Sequence, residues 1–263
     1  MRLSISNIAW AAEHDEEMYG YLEARGFAGL EIAPTRVFPD RPYERLGEAR
    51  AFAERLYRGH GLRVCSMQSL WYGRTENLFG PPAEFAALLE HTRRAVDFAA
   101  AVGCGNLVFG SPRNRNVPEG APDPAGTALR FFREAAEYAA GKGAVIAMEA
   151  NPPVYGTNFI NTTAEAFAFA RAVGSEGLRV NLDLGTMIHN GEPVSLPEEN
   201  IGLVSHVHLS EPNLAPLERR GLHRQILDLP FGGYFSIEIG NRGDPGLVRR
   251  QVDYVAGLAG GGD

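Results

Sequence analysis

The feature that most constrains the fold is an alternation of short β-rich segments with helical segments, which repeats about eight times along the 263 residues. No linker rich in Ser or Lys divides these units. Such an alternation favours a parallel sheet, and an undivided series of this length favours closure of the sheet into a barrel. We therefore predict an α/β fold, a (β/α)8 TIM barrel that forms a single domain over residues 1–263.

Hydrophobic periodicity, with Gly and Pro at the segment ends, gives the bounds of the predicted elements. The predicted strands are 3–8, 29–32, 62–67, 106–109, 144–149, 178–183, 204–209 and 234–238. The predicted helices are 15–24, 43–58, 82–102, 125–140 and 246–258, with one more that starts after Thr162 and ends near Val173. Thr162 and Glu165 form the pattern of a capping box at the start of that helix.

The connections between these elements are of two kinds. Those from a helix back to the next strand are short and contain Gly, as at 59–61 and 103–105. Those from a strand to the next helix are long and rich in aromatic, Arg and Pro residues; they cover 34–42, 69–81, 110–124 and 151–161. Long structured loops usually carry function. In a barrel these loops lie on the C-terminal face, so we expect the active site there.

Four consecutive predicted strands end in an ionisable residue. These residues are Glu149, Asp183, His208 and Glu238. Each alone would suit a salt bridge or a hydrogen-bonded core position, but the ends of parallel barrel strands converge. Three carboxylates packed together repel one another unless a cation neutralises them. Oxygen-rich ligation with one imidazole favours Mn²⁺, Mg²⁺ or Co²⁺ over a structural zinc, so we predict one divalent metal at these residues.

The same strand ends carry a family resemblance. The motifs are MEAN at 148–151, NLDLG at 181–185, HVHLSE at 206–211 and SIE at 236–238. With them the whole chain resembles the xylose-isomerase-like barrel superfamily, in the branch of sugar isomerases and epimerases that includes ketose 3-epimerases, hydroxypyruvate isomerases and inosose isomerases. The resemblance implies that Glu149, Asp183, His208 and Glu238 bind one metal, with Mn²⁺ favoured, and that Glu149 and Glu238 also move a proton.

A mechanism follows from the chemistry of such a site. A metal that chelates a carbonyl and an adjacent hydroxyl acidifies the C–H between them and stabilises the enediolate left by proton removal. Glutamates on opposite walls, Glu149 and Glu238, would take the proton from one face and return it to the other, which inverts the carbon. Return to the neighbouring carbon interconverts an aldose and a ketose. We therefore predict an isomerase of sugars, sugar phosphates or keto-sugars.

Five further residues form the predicted substrate-binding set: Glu31, Gln68, Arg113, His189 and His223. Glu31 would accept a sugar hydroxyl or pair with Arg36. The guanidinium of Arg113 would suit a phosphate or carboxylate. His223 would lie near the metal or on the helix after the seventh strand.

Two departures from the family pattern argue against a simple free ketohexose as the substrate. Sugar epimerases of the family commonly have a His three residues after the metal-binding Asp, where this chain has Thr186, with His189 a turn later. They also often have an Arg six residues after the metal His, where this chain has Leu214.

Other functions remain as alternatives. The net charge of −7 leaves no basic surface for nucleic acid, so a small carbohydrate is the expected partner. A zinc-dependent abasic-site endonuclease of the same superfamily would need extra histidines, whereas Gln68, Gly110 and Thr186 occupy the corresponding strand ends. A lyase or dehydratase acting on a related keto-sugar or cyclitol would use the same enediolate chemistry. A non-catalytic sugar-binding barrel is the remaining alternative.

The cysteines and the apolar runs bear on the compartment. The two cysteines, Cys65 and Cys104, lie in apolar runs and are too few for a disulfide framework, which indicates buried thiols in a reducing compartment. The first residues lack the apolar segment of an export signal, and no apolar run is long enough to span a bilayer. We expect a cytoplasmic protein with no membrane partner, assembled as a homodimer or homotetramer.

Overall fold

Eight parallel strands form a closed barrel in sequence order. The computed structural model describes residues 1–260, so the last three residues of the predicted barrel range lie outside it. The strands are β1 (Arg2–Ser6), β2 (Gly29–Ile32), β3 (Arg63–Met67), β4 (Asn106–Phe109), β5 (Val145–Glu149), β6 (Leu178–Asp183), β7 (Val204–Ser210) and β8 (Tyr234–Glu238). β8 closes the ring by pairing with β1. The predicted (β/α)8 barrel is confirmed.

Helices surround the barrel and follow its strands along the chain. They are α1 (Asp15–Ala24), α2 (Pro34–Val37), α3 (Leu46–His60), α4 (Pro82–Val102), α5 (Pro124–Gly141), α6 (Thr163–Val173), α7 (Leu184–Asn190), α8 (Glu198–Ile201), α9 (Gly221–Leu227) and α10 (Pro245–Ala259). The predicted capping box is present at α6, where Thr162 Oγ1 accepts from the Glu165 amide and Glu165 Oε2 accepts from the Thr162 amide. No helix within residues 1–260 combines the length and the hydropathy needed to cross a lipid bilayer.

Several predicted bounds differ from the structure for local reasons. β1 ends at Ser6 rather than at residue 8, because residues Asn7–Ala9 form a 3-10 turn whose Ile8 amide donates to Ser6 Oγ. α3 begins at Leu46 rather than at residue 43, because residues Pro42–Glu44 form a separate 3-10 turn. The sequence pattern gave no bounds for α2, α7, α8 and α9, which are too short to show a helical period, although a helix after the seventh strand was expected as one position for His223.

The two faces of the strands differ in polarity. The outward face is apolar and packs under the helices, as Ile5, Leu30 and Phe235 do. The barrel interior is polar and almost fully buried; it includes Ser4, Ser6, Glu31, Asn181, His206 and Ser236. Side chains fill the interior of an eight-stranded TIM barrel, so the interior is not an open channel. A polar interior therefore leads up to the C-terminal strand ends, where the ionisable residues lie.

Candidate metal centre and active site

The carboxyl ends of β5 to β8 bring four ionisable side chains together. One ligand atom from each of Glu149, Asp183, His208 and Glu238 lies within 4.8 Å of the other three. His208 Nδ1 is 3.1 Å from Glu149 Oε1, 3.2 Å from Glu238 Oε2 and 3.8 Å from Asp183 Oδ2. The imidazole is completely buried, whereas each carboxylate side chain keeps 11–12% of its surface exposed. The imidazole thus lies beneath three carboxylates that face the open end of the barrel.

Neighbouring amides hold the two glutamates in place. Glu149 Oε1 accepts from Asn181 Nδ2 at 2.8 Å, and Glu149 Oε2 accepts from Asn151 Nδ2 at 2.9 Å. Glu238 Oε1 accepts from Gln68 Nε2 at 3.0 Å. Because these donors come from separate strands and loops, each glutamate has a fixed orientation on its own side of the site.

The remaining two side chains are fixed as firmly. Asp183 Oδ1 accepts from the Thr186 amide at 2.6 Å, which caps α7, and Asp183 Oδ2 accepts from Ser210 Oγ at 2.5 Å. His208 Nε2 lies 3.1 Å from Glu31 Oε2. This contact leaves Nδ1 as the nitrogen that faces the carboxylates.

The pKa shifts in the cluster show that its three carboxylates lie close together with one imidazole as the only nearby group of the cluster that can carry positive charge. Burial raises the pKa of Glu238 to about 7, and burial together with the charge of Glu149 raises the pKa of Asp183. Burial alone would lower the pKa of His208, but Glu238 and Glu31 outweigh it and hold that pKa well above its usual value. Burial would raise the pKa of Glu149, yet the hydrogen bonds from His208 and Asn151 lower it. Three carboxylates and one imidazole nitrogen at these separations fit a divalent cation that prefers oxygen ligands.

A cavity of about 220 Å³ opens above the cluster. Glu149, Asp183 and Glu238 form its floor, and two of the long loops predicted to carry function supply much of its wall. Its polar lining includes Gln68, Asn151, Ser210 and Glu211, and its apolar lining includes Val108, Pro112, Tyr155 and Leu214. The cavity can therefore hold a small molecule against the candidate metal ligands.

Comparison with known proteins decides the family. A family model described as xylose isomerase-like TIM barrel matches residues 20–256. The chain belongs to the xylose isomerase-like TIM barrel family. The resemblance to the xylose-isomerase-like barrel superfamily, based on the strand-end motifs, is thereby confirmed.

Solved structures with the same fold include proteins named as epimerases and one named as an endonuclease. A 3-keto-D-glucoside 4-epimerase from E. coli, YcjR, is 21% identical with a TM-score of 0.75, over 97% of this chain and 98% of that one. A D-psicose 3-epimerase is 18% identical with a TM-score of 0.79, over 99% and 100% of the two chains. A family 2 AP endonuclease from Brucella melitensis is 21% identical with a TM-score of 0.72, over the full length of both. No curated protein sequence matches the chain. At these identities the likeness establishes the fold, and the site must establish the chemistry.

Of the predicted substrate-binding residues of this chain, Gln68 lines the cavity and Glu31 does not. Gln68 is 6% exposed and bridges Glu238 and Glu31 through its amide nitrogen. Glu31 is fully buried one level below the cavity, where its Oε2 lies 3.1 Å from both His206 Nε2 and His208 Nε2. The expected pairing of Glu31 with Arg36 is wrong, because Arg36 pairs with Asp15 at 2.6 Å.

The structure does not bring Arg113, His189 and His223 to the cavity. Arg113 is exposed on the 3-10 turn Pro112–Arg115 and lines an adjoining groove. His189 is exposed near the end of α7, because that helix starts directly at the end of β6 and carries the residue outward. His223 lies on α9, buried, with Nδ1 3.1 Å from Tyr254 Oη. Burial, with a contribution from Arg220, lowers the pKa of His223 to about 4, so it is a neutral packing residue.

The arginine that matters to the site is Arg115. It is fully buried and donates to the carbonyls of Gly110, Phe159 and Glu149 and to Asn151 Oδ1, at 2.6–2.8 Å. It therefore joins the loops after β4 and β5 beneath the cavity. The sequence analysis named Arg113 from this loop and not Arg115, whose role depends on acceptors far away in the chain.

Replacing Arg115 by Met is expected to destabilise the protein by about 3 kcal/mol or more, because a fully buried guanidinium is removed and four acceptors, one buried and three partly buried, lose their donor. For a chain of this size the expected loss in Tm is about 5–10 °C. Arg113→Met, in the same turn but exposed, is the matched control and should leave Tm within about 2 °C. Equal Tm values for the two variants in thermal denaturation would contradict the structural role of Arg115.

Replacing Glu31 by Gln is expected to weaken binding of Mn²⁺ by about 10–100-fold, because the carboxylate that orients His208 and increases its basicity is lost. Isothermal titration of Mn²⁺ into the metal-free protein measures the change. Glu44→Gln at the exposed end of the 3-10 turn before α3 serves as the surface control. Unchanged affinity in Glu31→Gln would show that His208 needs no carboxylate partner.

Proposed function

We propose that this protein is a divalent-metal-dependent enzyme that epimerises or isomerises a sugar at a carbon next to its carbonyl group. The observation that carries the proposal is the placement of Glu149 and Glu238. Both face one cavity, and both lie about 3 Å from the same nitrogen, His208 Nδ1, from different sides of the barrel. The epimerase activities named for the structural neighbours support the proposal.

Glu149, Asp183, Glu238 and His208 Nδ1 would hold the cation, for which Mn²⁺ is the first candidate and Mg²⁺ or Co²⁺ the next. When bound, such a cation supplies Lewis-acid polarisation of the substrate carbonyl and thereby acidifies the adjacent C–H. The donor set supports this assignment, since oxygen ligands with one imidazole suit these ions.

The two glutamates would divide the proton transfers between them. One removes the proton from the carbon next to the carbonyl, and the other delivers a proton to the opposite face, which inverts that carbon. Delivery to the neighbouring carbon instead gives the aldose–ketose isomer. Asn151 and Asn181 hold Glu149, and Gln68 holds Glu238, so neither base must reorganise before it reacts.

Product formation tests the proposal. The Mn²⁺-loaded protein is incubated with ketoses, 3-keto-glycosides and inososes, and products are separated by chromatography. A product that is the epimer or isomer of its substrate, and that disappears when a chelator removes the metal, is the expected result. Conversion of every active substrate to a dehydrated product would favour the lyase alternative instead.

Affinity for Mn²⁺ is expected to rise as the pH is raised through about 7. Burial raises the pKa of Glu238 to about 7, and the pKa of His208 is also raised by its carboxylate neighbours, so protons occupy ligand atoms at lower pH. Metal binding must displace them, which makes binding weaker below the pKa and stronger above it. Titrations in buffers of different ionisation enthalpy should show proton release, and a pH-independent affinity would contradict the expectation.

A further inference from the structure

We infer that the cavity takes an uncharged polyhydroxylated carbonyl compound rather than a phosphorylated or carboxylated one, and that Glu211 accepts a hydrogen bond from one of its hydroxyls. This inference rests on the proposed function and narrows its substrate class. It follows from the charges of the cavity wall.

All four charged side chains that line the cavity are carboxylates: Glu149, Asp183, Glu211 and Glu238. No Lys or Arg is among the lining residues of the described chain. A divalent cation would neutralise two of the three negative charges at the floor of the cavity. The third would remain, and the carboxylate of Glu211 would add a further negative charge to the wall. A phosphate or carboxylate placed here would meet like charge in a poorly solvated site.

The nearby arginines already have other partners. Arg115 is fully buried and donates to one strand carbonyl, that of Glu149, and to three acceptors in the loops after β4 and β5. Arg220 donates through Nε to Glu211 Oε1 at 2.9 Å, and its Nη2 forms an ion pair with Glu218 Oε2 at 2.6 Å. Arg113 is exposed in the adjoining groove and does not line the cavity. An anionic group next to the reacting carbon would therefore find no guanidinium.

Glu211 is placed to receive a hydroxyl. It is only 3% exposed, yet it lines the cavity. Its Oε1 accepts from the Glu218 amide at 3.1 Å and from Arg220, and within residues 1–260 every hydrogen bond to this carboxylate ends on Oε1. Oε2 thus remains as an acceptor. A buried carboxylate with one oxygen fixed and the other available suits a neutral donor such as a sugar hydroxyl.

Leu214 forms an apolar part of the wall near Glu211. Its side chain lines the cavity, and its carbonyl accepts from the Gly240 amide at 2.9 Å, which fixes the backbone. Its φ is 52°, a left-handed value that is uncommon for a residue other than Gly. A cation introduced here would face the same cavity, which makes Leu214 the position at which to reverse the charge preference.

The test compares uncharged ligands with their phosphate esters. Mn²⁺-loaded protein is titrated by calorimetry with a panel of ketoses and keto-glycosides, each paired with its monophosphate, and with inorganic phosphate to measure direct contact with the metal. At least one uncharged compound should bind at least about tenfold more tightly than its ester. Leu214→Arg should strengthen binding of that ester about tenfold. Equal binding of each pair, stronger binding of the esters or no binding of any compound overturns the inference.

Glu211→Gln tests the hydroxyl contact. It should lower the affinity for the uncharged ligand about tenfold, because a hydrogen bond to a charged group is lost. The affinity for Mn²⁺ should stay within about twofold of that of the unmodified protein. Glu218→Gln, exposed and bonded to the same Arg220, is the matched control and should leave ligand affinity unchanged. Equal ligand affinity in both variants overturns the role of Glu211. Tight, selective binding of uncharged sugars without any conversion would instead overturn the proposed function and leave the charge preference intact.

Discussion

Glu149→Gln and Glu238→Gln are each expected to lower turnover by about 10²–10⁴-fold, the range that one positioned acid–base group contributes. Gln retains the shape of the side chain but cannot accept the proton. In Glu238→Gln the carbonyl oxygen can still accept from Gln68, but in Glu149→Gln it can accept from only one of Asn151 and Asn181. Thermal denaturation of each variant therefore has to accompany its kinetics. Steady-state kinetics at saturating Mn²⁺ measure the loss.

A matched control separates this effect from a general change in charge. Glu119 is exposed in the loop after β4, and the variant Glu119→Gln should keep full turnover. Each site variant must also be checked for bound metal, since each removes one ligand. Full turnover in either site variant would show that one glutamate suffices and would reject the two-base proposal.

Asp183→Asn is expected to weaken Mn²⁺ binding by more than about 100-fold. This loss is larger than the one expected for Glu31→Gln, because Asp183 is itself a proposed metal ligand and Glu31 only orients one. The Asn oxygen can still accept from the Thr186 amide, as Asp183 Oδ1 does at 2.6 Å, so the cap of α7 is retained. The stability of the metal-free protein should therefore change little. Calorimetric titration of Mn²⁺ and thermal denaturation measure the two quantities separately.

Asp183→Ala provides the comparison. It removes the ligand and the cap together, so it should weaken Mn²⁺ binding as much as Asp183→Asn does. In addition, it should lower the free energy of unfolding of the metal-free protein by about 1 kcal/mol. If both variants bind Mn²⁺ as the unmodified protein does, Asp183 is a helix cap alone and the four-residue metal centre is wrong.

The cluster at the ends of β5 to β8 could be predicted because it depends only on strand periodicity and barrel topology. A residue at the end of a parallel strand lies on the C-terminal face wherever its loop goes. Glu149, Asp183 and Glu238 are such residues, and His208 lies two residues before the end of its strand on the same face. Their convergence needed no knowledge of side-chain packing.

The wider site depends on details that have no local signal. Glu31 is one residue from the end of β2, at an irregularity in the pairing of β2 with β3, and its contacts with two histidines of β7 cross the barrel interior. Ser69, Ser111 and Leu214 have positive φ without being Gly, so their loops turn where the residue type suggests no turn. His189 and Arg113 were expected at the cavity, but the direction of α7 and of the turn at Pro112–Arg115 places them outside it.

Incorporation of solvent deuterium tests the central claim most directly. The protein in D₂O is mixed with candidate ketoses, 3-keto-glycosides and inososes, with Mn²⁺ or with chelator, and the substrates are followed by NMR. Metal-dependent deuterium at a carbon next to the carbonyl of at least one compound is the predicted result, and combining Glu149→Gln with Glu238→Gln should abolish it. Exchange that persists in the double variant with metal bound, or conversion of a substrate without any deuterium uptake, would contradict the central claim.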